Sequence, residues 1–284
     1  MSKLISLFKL TRIEHSIMLC VAVLAAELMS GGLPALPILI LSLITPIFIS
    51  MGAFAINDYF DVEVDRLNEK KRPLVVGELS PKSALYITAV SMIVGLAASV
   101  FINPFAFVIA VIFCVLSLLY GYKLKELLLW GNAYIAFSMA IPFIFGNYVV
   151  SGVLHASIIF VSAMIFLSGL SREIHGTIRD LKGDMAARNV HTLPKVIGKA
   201  ASARIALVFY VIAILISIYL FADVLPFKGN FIYLIPILAV DLSLLYVGIG
   251  YLKRDTGKFH KLARNLSLAS MAIALLTLLI SSAI

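Results

Sequence analysis

Long apolar segments alternate with short polar ones from one end of the chain to the other. The apolar stretches fall at about 14–30, 35–57, 82–102, 104–121, 127–149, 153–174, 201–222, 230–252 and 262–283. Each is close to the roughly 20 residues that a helix needs to cross about 30 Å of hydrocarbon, and longer than a barrel strand. The pattern predicts nine transmembrane helices. The polar connections differ in character. Those at 31–34, 102–104, 150–153 and 223–229 are short and hold one basic residue, Lys228. The other side holds 22 of the 23 Lys and Arg. The positive-inside rule then predicts a cytoplasmic N-terminus and an outer C-terminus for a multi-pass protein of the plasma membrane. The whole chain, 1–284, reads as a single polytopic domain with cytoplasmic cap loops at about 58–81 and 175–200.

Composition points the same way. Hydrophobic residues make up 62% of the chain and charged residues 13%, with a mean hydropathy of +1.06. A soluble domain is about half apolar and about a quarter charged, so this is an all-α integral membrane protein. The net charge of +8 belongs to topology and anionic lipid, not to nucleic acid. Cys20 and Cys114 stand alone in apolar runs, which predicts neither a disulfide nor a zinc site. Lys3, Lys9 and Arg12 before the apolar run 17–29 imitate a secretory signal, but no small-residue cleavage site follows. The run reads as the first membrane helix.

Charge is concentrated where the second apolar segment ends, in residues 57–73. Asn57, Asp61 and Asp65 are spaced i, i+4, i+8 and share one face if the helix continues. Three oxygen ligands so placed call for a positive charge between them, and a hard divalent cation such as magnesium is the usual answer. Carboxylates at the C-terminal end of a membrane helix also oppose its dipole, which argues against a merely decorative role. A second acidic face follows the sixth segment. Glu173, Asp180 and Asp184 lie at i, i+7 and i+11. The predicted topology puts both faces on one side of the membrane, as the two walls of a metal–diphosphate site.

Basic residues nearby complete the picture. Arg72, next to Pro73, is the best-placed grip for a diphosphate, with Lys70 and Lys71 beside it. Arg12, Lys123 and Lys125 are similar candidates. Tyr120 and Tyr122 read as interfacial aromatics or as part of a reacting centre. His175 and His191 are possible phosphate contacts rather than metal ligands. Glu27 and Asp241 fall inside apolar runs; Glu27, near the outer end of its helix, is expected to snorkel. The chain has no P-loop, no GxGxxG and no nucleophile elbow.

The two acidic stretches resemble the paired signatures of the UbiA superfamily of intramembrane prenyltransferases. Asn57-Asp58-x-x-Asp61-x-x-x-Asp65, followed by Asn68 and Arg72-Pro73, is similar to the first; Asp180-x-x-x-Asp184, followed by Thr192-Leu193-Pro194 and Gly198, is similar to the second. Tyr120 to Lys125, followed by Gly131-Asn132, is similar to the segment after the fourth helix. The resemblance implies a nine-helix bundle around a lipid-accessible cavity, with the active site at its cytoplasmic mouth. It implies Mg2+ held by Asn57, Asp61, Asp65, Asp180 and Asp184, with the four aspartates as the catalytic set. Arg12, Asn57, Asp58, Lys71, Arg72, Tyr120, Lys123, Lys125, Glu173 and His191 would contact substrate. The implied partners are a prenyl diphosphate donor, a lipophilic acceptor and membrane lipid, with no obligatory protein partner. Within the superfamily, Asn-Asp-Tyr-Phe-Asp, Arg172-Glu173-Ile174, Gly183-Asp184 and Thr192-Leu193-Pro194 are most similar to the archaeal digeranylgeranylglyceryl phosphate synthases. That implies geranylgeranyl transfer to geranylgeranylglyceryl phosphate in ether-lipid synthesis. Thr177, Arg179 and Val190-His191 depart from that group's pattern and leave an aromatic acceptor as the alternative. A cation-binding transporter is the alternative of another class, although its site is expected near the midplane rather than at one surface.

Overall fold

The computed structural model describes residues 3–67, 69–187 and 192–284; of Lys3 and of 182–187 it describes the backbone alone. Among the described residues every element is helical. A short helix α1 (Lys3–Thr11) precedes nine helices long and apolar enough to span a membrane. These are α2 (Ile13–Ser30), α3 (Leu36–Leu67), α4 (Pro81–Val100), α5 (Pro104–Tyr122), α6 (Trp130–Val150), α7 (Ala156–Ala187), α9 (Lys199–Asp223), α10 (Phe231–Lys253) and α11 (Gly257–Ala283). A 3-10 turn, Leu124–Glu126, joins α5 to α6, and a five-residue helix α8 (Leu193–Ile197) precedes α9.

Local chemistry sets several of the boundaries. Ser80 caps α4 by accepting from the Ser83 N–H, with Pro81 at the first helical position. Asn103 does the same for α5 and also donates to the Tyr148 carbonyl on α6. Asn230 and Thr256 cap α10 and α11. Two helices overrun the bilayer. At 1.5 Å per residue, the 32 residues of α3 reach about 48 Å, well beyond about 30 Å of hydrocarbon. The 32 residues of α7 do the same. The expected cap loops at about 58–81 and 175–200 therefore begin as helix, and both acidic stretches ride on rigid overhangs.

Helices adjacent in sequence pack side by side, and α11 packs back on α2, so the bundle closes. Helix α2 touches α3, α6, α7 and α11. Lipid tails are as apolar as Leu, so close approach of backbones does the work that hydrophobic burial does in water. A Cβ on Gly146 of α6 would sit 2.6 Å from the Val23 carbonyl oxygen of α2 and 2.8 Å from the Ala26 Cβ. Ser30 donates to Asn147 at 3.0 Å across the same helix pair. A cluster of Met29, Phe143, Ile158, Leu220, Phe227, Tyr233 and Leu278 closes the bundle at the end away from the overhangs. The bundle is thus tight at one end and open at the acidic end.

The expected snorkelling of Glu27 is not seen. Its side chain is fully buried, because α2 is surrounded by other helices along its length. Asp241 has a partner instead of standing alone: Ser217 donates to it at 2.6 Å.

Gly146→Ala is expected to lower stability by about 1–3 kcal/mol, because the methyl meets a backbone oxygen that cannot move aside. Gly152→Ala, where an added Cβ meets nothing within 4 Å, is expected to leave it unchanged. Thermal unfolding of the two purified variants in one detergent checks both.

Candidate active site

The overhang of α3 is an acidic helix end that receives cations from three separate connections. Asp58 is 2% exposed. Its Oδ1 accepts from Arg12 at 2.7 Å and from Arg72 at 2.6 Å. Arg12 joins α1 to α2 with a φ of 46°, a left-handed conformation uncommon for a non-glycine residue. Its guanidinium also lies over the Phe54 ring at 4.7 Å, so contacts on two sides hold the strained residue in place. Arg72 reaches Asp65 as well, Nε to Oδ2 at 2.7 Å, while Lys70 binds the other oxygen at 2.7 Å. The loop after α3 therefore folds back onto the helix it leaves. Its turn is closed by Val75 and Val76 N–H groups on the Arg72 carbonyl, and Ser6 of α1 ties it down through Glu78 at 2.7 Å. The third connection brings Lys125, on the turn between α5 and α6, which donates to Asp61 at 2.7 Å.

Helix α7 brings the second acidic set. Arg172 donates to Glu173 at 2.7 Å. Arg179 grips Asp180 with two bonds, at 2.7 and 2.5 Å. The Asp184 side chain and the whole of His191, both expected at the site, lie outside the described residues. Among the described residues no group of three His, Cys, Asp or Glu stands close enough to hold a metal by itself.

Two cavities meet here. The first, about 600 Å³, runs among the helices and is lined mostly by apolar side chains, with Arg12, Asn57, Tyr120, Tyr134 and Arg172 at its polar end. It falls within the range of roughly 300–1,000 Å³ usual for ligand pockets. Asn57 Oδ1 is buried with no hydrogen-bond partner among the described residues. Tyr120 stacks on Tyr134 at 4.5 Å, and Tyr134 on Phe113 at 6.0 Å, which makes an aromatic wall. The second cavity, about 530 Å³, is polar and includes Lys70, Arg72, Glu173, Arg179 and Asp180. Arg172 and Ser267 line both.

The structure thus brings Arg12, Asn57 and Tyr120 to the apolar cavity, and Arg72, Glu173 and Asp180 to the polar one. Asp58 supports Arg12 and Arg72 through ion pairs, while Asp61, paired with Lys125, lines neither cavity. Asp65, expected as a metal ligand, has both oxygens engaged by Lys70 and Arg72 and anchors the basic loop. Lys71 and Lys123 are exposed and line neither cavity. Tyr122 is 68% exposed, as an interfacial aromatic should be. The sequence did not single out Tyr134, Arg172 or Arg264 as site residues. Tyr134 looks like any apolar-run aromatic, and the two arginines look like topology charge.

Comparison with known proteins decides the family. The profile of the UbiA prenyltransferase family matches residues 17–279. The chain belongs to the UbiA prenyltransferase family. It is similar to the digeranylgeranylglyceryl phosphate synthase of Archaeoglobus fulgidus, 38% identical over 95% of this chain and 92% of that one. It is also similar to that of Thermococcus kodakarensis, 30% identical over 92% of each. A solved structure of digeranylgeranylglyceryl phosphate synthase superposes with a TM-score of 0.82 at 28% identity, covering 99% of both chains. A UbiA homolog from Archaeoglobus fulgidus bound to GPP and Mg2+ shares the fold, with a TM-score of 0.66 at 18% identity over 96% of this chain and 99% of that one. The chain is a multi-pass membrane enzyme that transfers prenyl groups, and among the described residues nine helices are long and apolar enough to cross a membrane, as its sequence predicts.

Asp58→Asn leaves two guanidiniums without their shared carboxylate. Removing one partner of a fully buried pair costs about 3–5 kcal/mol; Arg12 and Arg72 retain some water, so a loss of about 2–3 kcal/mol is expected. Asp223→Asn, at an exposed pair with Lys228, is expected to change nothing measurable. Chemical denaturation of both variants in micelles separates the two outcomes.

Proposed function

We propose that this UbiA prenyltransferase moves a geranylgeranyl group from its diphosphate to the free hydroxyl of geranylgeranylglyceryl phosphate, at the cytoplasmic face of the plasma membrane, with Mg2+ as cofactor. The observation that carries the reading is the junction of the two cavities. One is apolar and deep enough for a prenyl chain; the other is polar and rich in cations. A prenyl diphosphate has these two parts in the same order. The relatives named for this same reaction, at up to 38% identity over nearly the whole chain, support the choice of acceptor. The loops that hold 22 of the 23 Lys and Arg support the orientation, with the N-terminus cytoplasmic and the C-terminus outside.

The residues present fit a hard divalent cation. Asn57 offers a buried oxygen with no hydrogen-bond partner among the described residues, Asp61 a carboxylate on the first overhang, and Asp180 an exposed carboxylate on the second, which Arg179 holds in this structure and a cation would take over. We assign these three and Asp184 to the metal. When bound, magnesium supplies Lewis-acid charge against the diphosphate oxygens. Lys125 already sits 2.7 Å from Asp61, and with Arg72 it provides fixed positive charge where negative charge grows as the allylic C–O bond breaks. Arg12, at the polar end of the apolar cavity, holds the oxygens of the leaving group on that side. The aromatic wall of Tyr120 and Tyr134 faces the carbon that becomes electron-deficient, and ring faces attract positive charge. The apolar cavity keeps water from that carbon until the acceptor oxygen bonds to it and loses its proton.

Pyrophosphate release from geranylgeranyl diphosphate is expected to need both Mg2+ and geranylgeranylglyceryl phosphate. It is expected to fall about a hundredfold or more in Asp61→Ala and in Asp180→Ala. Release only with an aromatic acceptor would overturn the acceptor assignment. Release indifferent to both aspartates, or cation flux through liposomes without turnover, would overturn the reading as a whole.

A further inference from the structure

Two phosphate-bearing molecules must meet at this site if the proposed reaction is right, and the α3 and α7 motifs account for one of them. The polar cavity extends past those motifs to α10 and α11. There α11 contributes Arg264, which makes no ion pair among the described residues, and α10 contributes Tyr251. His175 of α7 lines the same space. It is 3% exposed, and neither of its ring nitrogens has a hydrogen-bond partner among the described residues. At least one of them carries a proton in any tautomer. Its faces are covered: it stacks on Tyr251 at 4.1 Å and 8°, and it meets Tyr210 at 5.4 Å. Tyr251 in turn stacks on His260 at 5.2 Å, which locks α7, α10 and α11 together. Both ring nitrogens are fully buried, so the stacked ring is a rigid wall of this space and not a donor to it. Arg172, between the two cavities, keeps a quarter of its side chain exposed while Nη1 donates to Glu173.

Geometry of the acceptor narrows the choice. Glycerol has three carbons. In the acceptor one carries the prenyl ether, one the phosphate and one the reacting hydroxyl. The phosphate therefore lies within two carbons of the oxygen that attacks, while the ether-linked chain needs apolar surroundings. Only a head group beside the reacting centre and a tail in the apolar cavity satisfy both, and Arg172 and Ser267 mark the passage between the two spaces.

We propose that Arg264 and Arg172, backed by the stacked rings of His175 and Tyr251, form a subsite for the phosphomonoester of the glycerol ether acceptor, separate from the diphosphate site at Asp61 and Asp180. The proposal rests on the reading given under Proposed function and adds how the acceptor is chosen. Arg264 supplies the charge that a lipid alcohol without phosphate cannot use. Arg172 holds the phosphate at the boundary so that the neighbouring hydroxyl faces the apolar cavity.

The test is steady-state kinetics of the full-length protein in micelles with geranylgeranyl diphosphate and Mg2+. Arg264→Gln is expected to raise KM for geranylgeranylglyceryl phosphate about tenfold or more, the effect of one charge-assisted contact, with KM for the donor held within about twofold. With geranylgeranylglycerol, which lacks the phosphate, wild type and Arg264→Gln are expected to react equally slowly. Arg264→Lys is expected to recover part of the loss. An equal rise in donor KM would overturn the subsite and give Arg264 to the donor. Unchanged acceptor KM, or an equal loss with the phosphate-free alcohol, would also overturn it. Wild type that turns over an aromatic acceptor but not the glyceryl phosphate would overturn both the subsite and the acceptor assignment. A working wild type with an indifferent Arg264→Gln would overturn the subsite alone.

Discussion

One buried carboxylate holds the mouth of this bundle together. Asp58 binds Arg12 from the junction of the first two helices and Arg72 from the loop that follows its own helix. Without those cations the end of α3 would present Asp58, Asp61 and Asp65 against the negative end of its own dipole, an arrangement that repels itself. With them, three connections distant in sequence are fixed on one helix end, since Lys125 on Asp61 adds the third. Buried ion pairs contribute little net stability after desolvation, so the effect of this network is best sought in register. It decides where the guanidiniums stand and in what conformation Arg12 is held. The left-handed backbone at Arg12 fits that view, because a strained residue persists only where its surroundings over-determine it.

The membrane imposes the complementary constraint. Helices in lipid gain little from hiding apolar area, so they pack closely only where small residues allow it. Gly146 against Val23 and Ala26 is such a contact, and Gly52 and Gly95 do the same between α3 and α4. Large side chains are placed unevenly. Phe143, Phe227 and Tyr233 fill the end away from the acids, while the middle is left to a cavity of about 600 Å³. A bundle packed to equal density along its length would have no room for a substrate. Overlong α3 and α7 then carry the polar chemistry beyond the hydrocarbon, where rigid helices position side chains better than loops would.

Much of this was legible in the sequence. Nine apolar runs and one-sided basic loops are set by bilayer thickness and insertion, which act on composition alone. The acidic spacings were legible because helical period is local: Asn57, Asp61 and Asp65 do lie on one continuous helix. The apolar runs stop at 57 and 174, short of the ends of α3 and α7, because hydropathy marks where hydrocarbon ends and not where a helix ends. The snorkelling expected of Glu27 failed for a tertiary reason, the enclosure of α2 by its neighbours. The roles of Arg72 and Lys125 as partners of Asp58 and Asp61, and the placement of Tyr134 and Arg264 on cavity walls, depend on contacts between residues 14 or more apart in the chain. No local pattern encodes them.

The partition into two cavities bears on the chemistry more than any single residue does. An ionising prenyl diphosphate makes an anion and an electron-poor carbon together, and the two would recombine or meet water if left in one space. Here the cations lie in and around the polar cavity, and the aromatic wall lines the apolar one, with Arg172 and Ser267 at the join. The departing anion is thereby drawn toward the membrane surface, and the carbon is left where the solvent is hydrocarbon. Low dielectric on one side of the join strengthens each fixed charge on the other. An enzyme of this kind has reason to sit at the membrane boundary, because both halves of its reaction need the solvent that the other half must exclude.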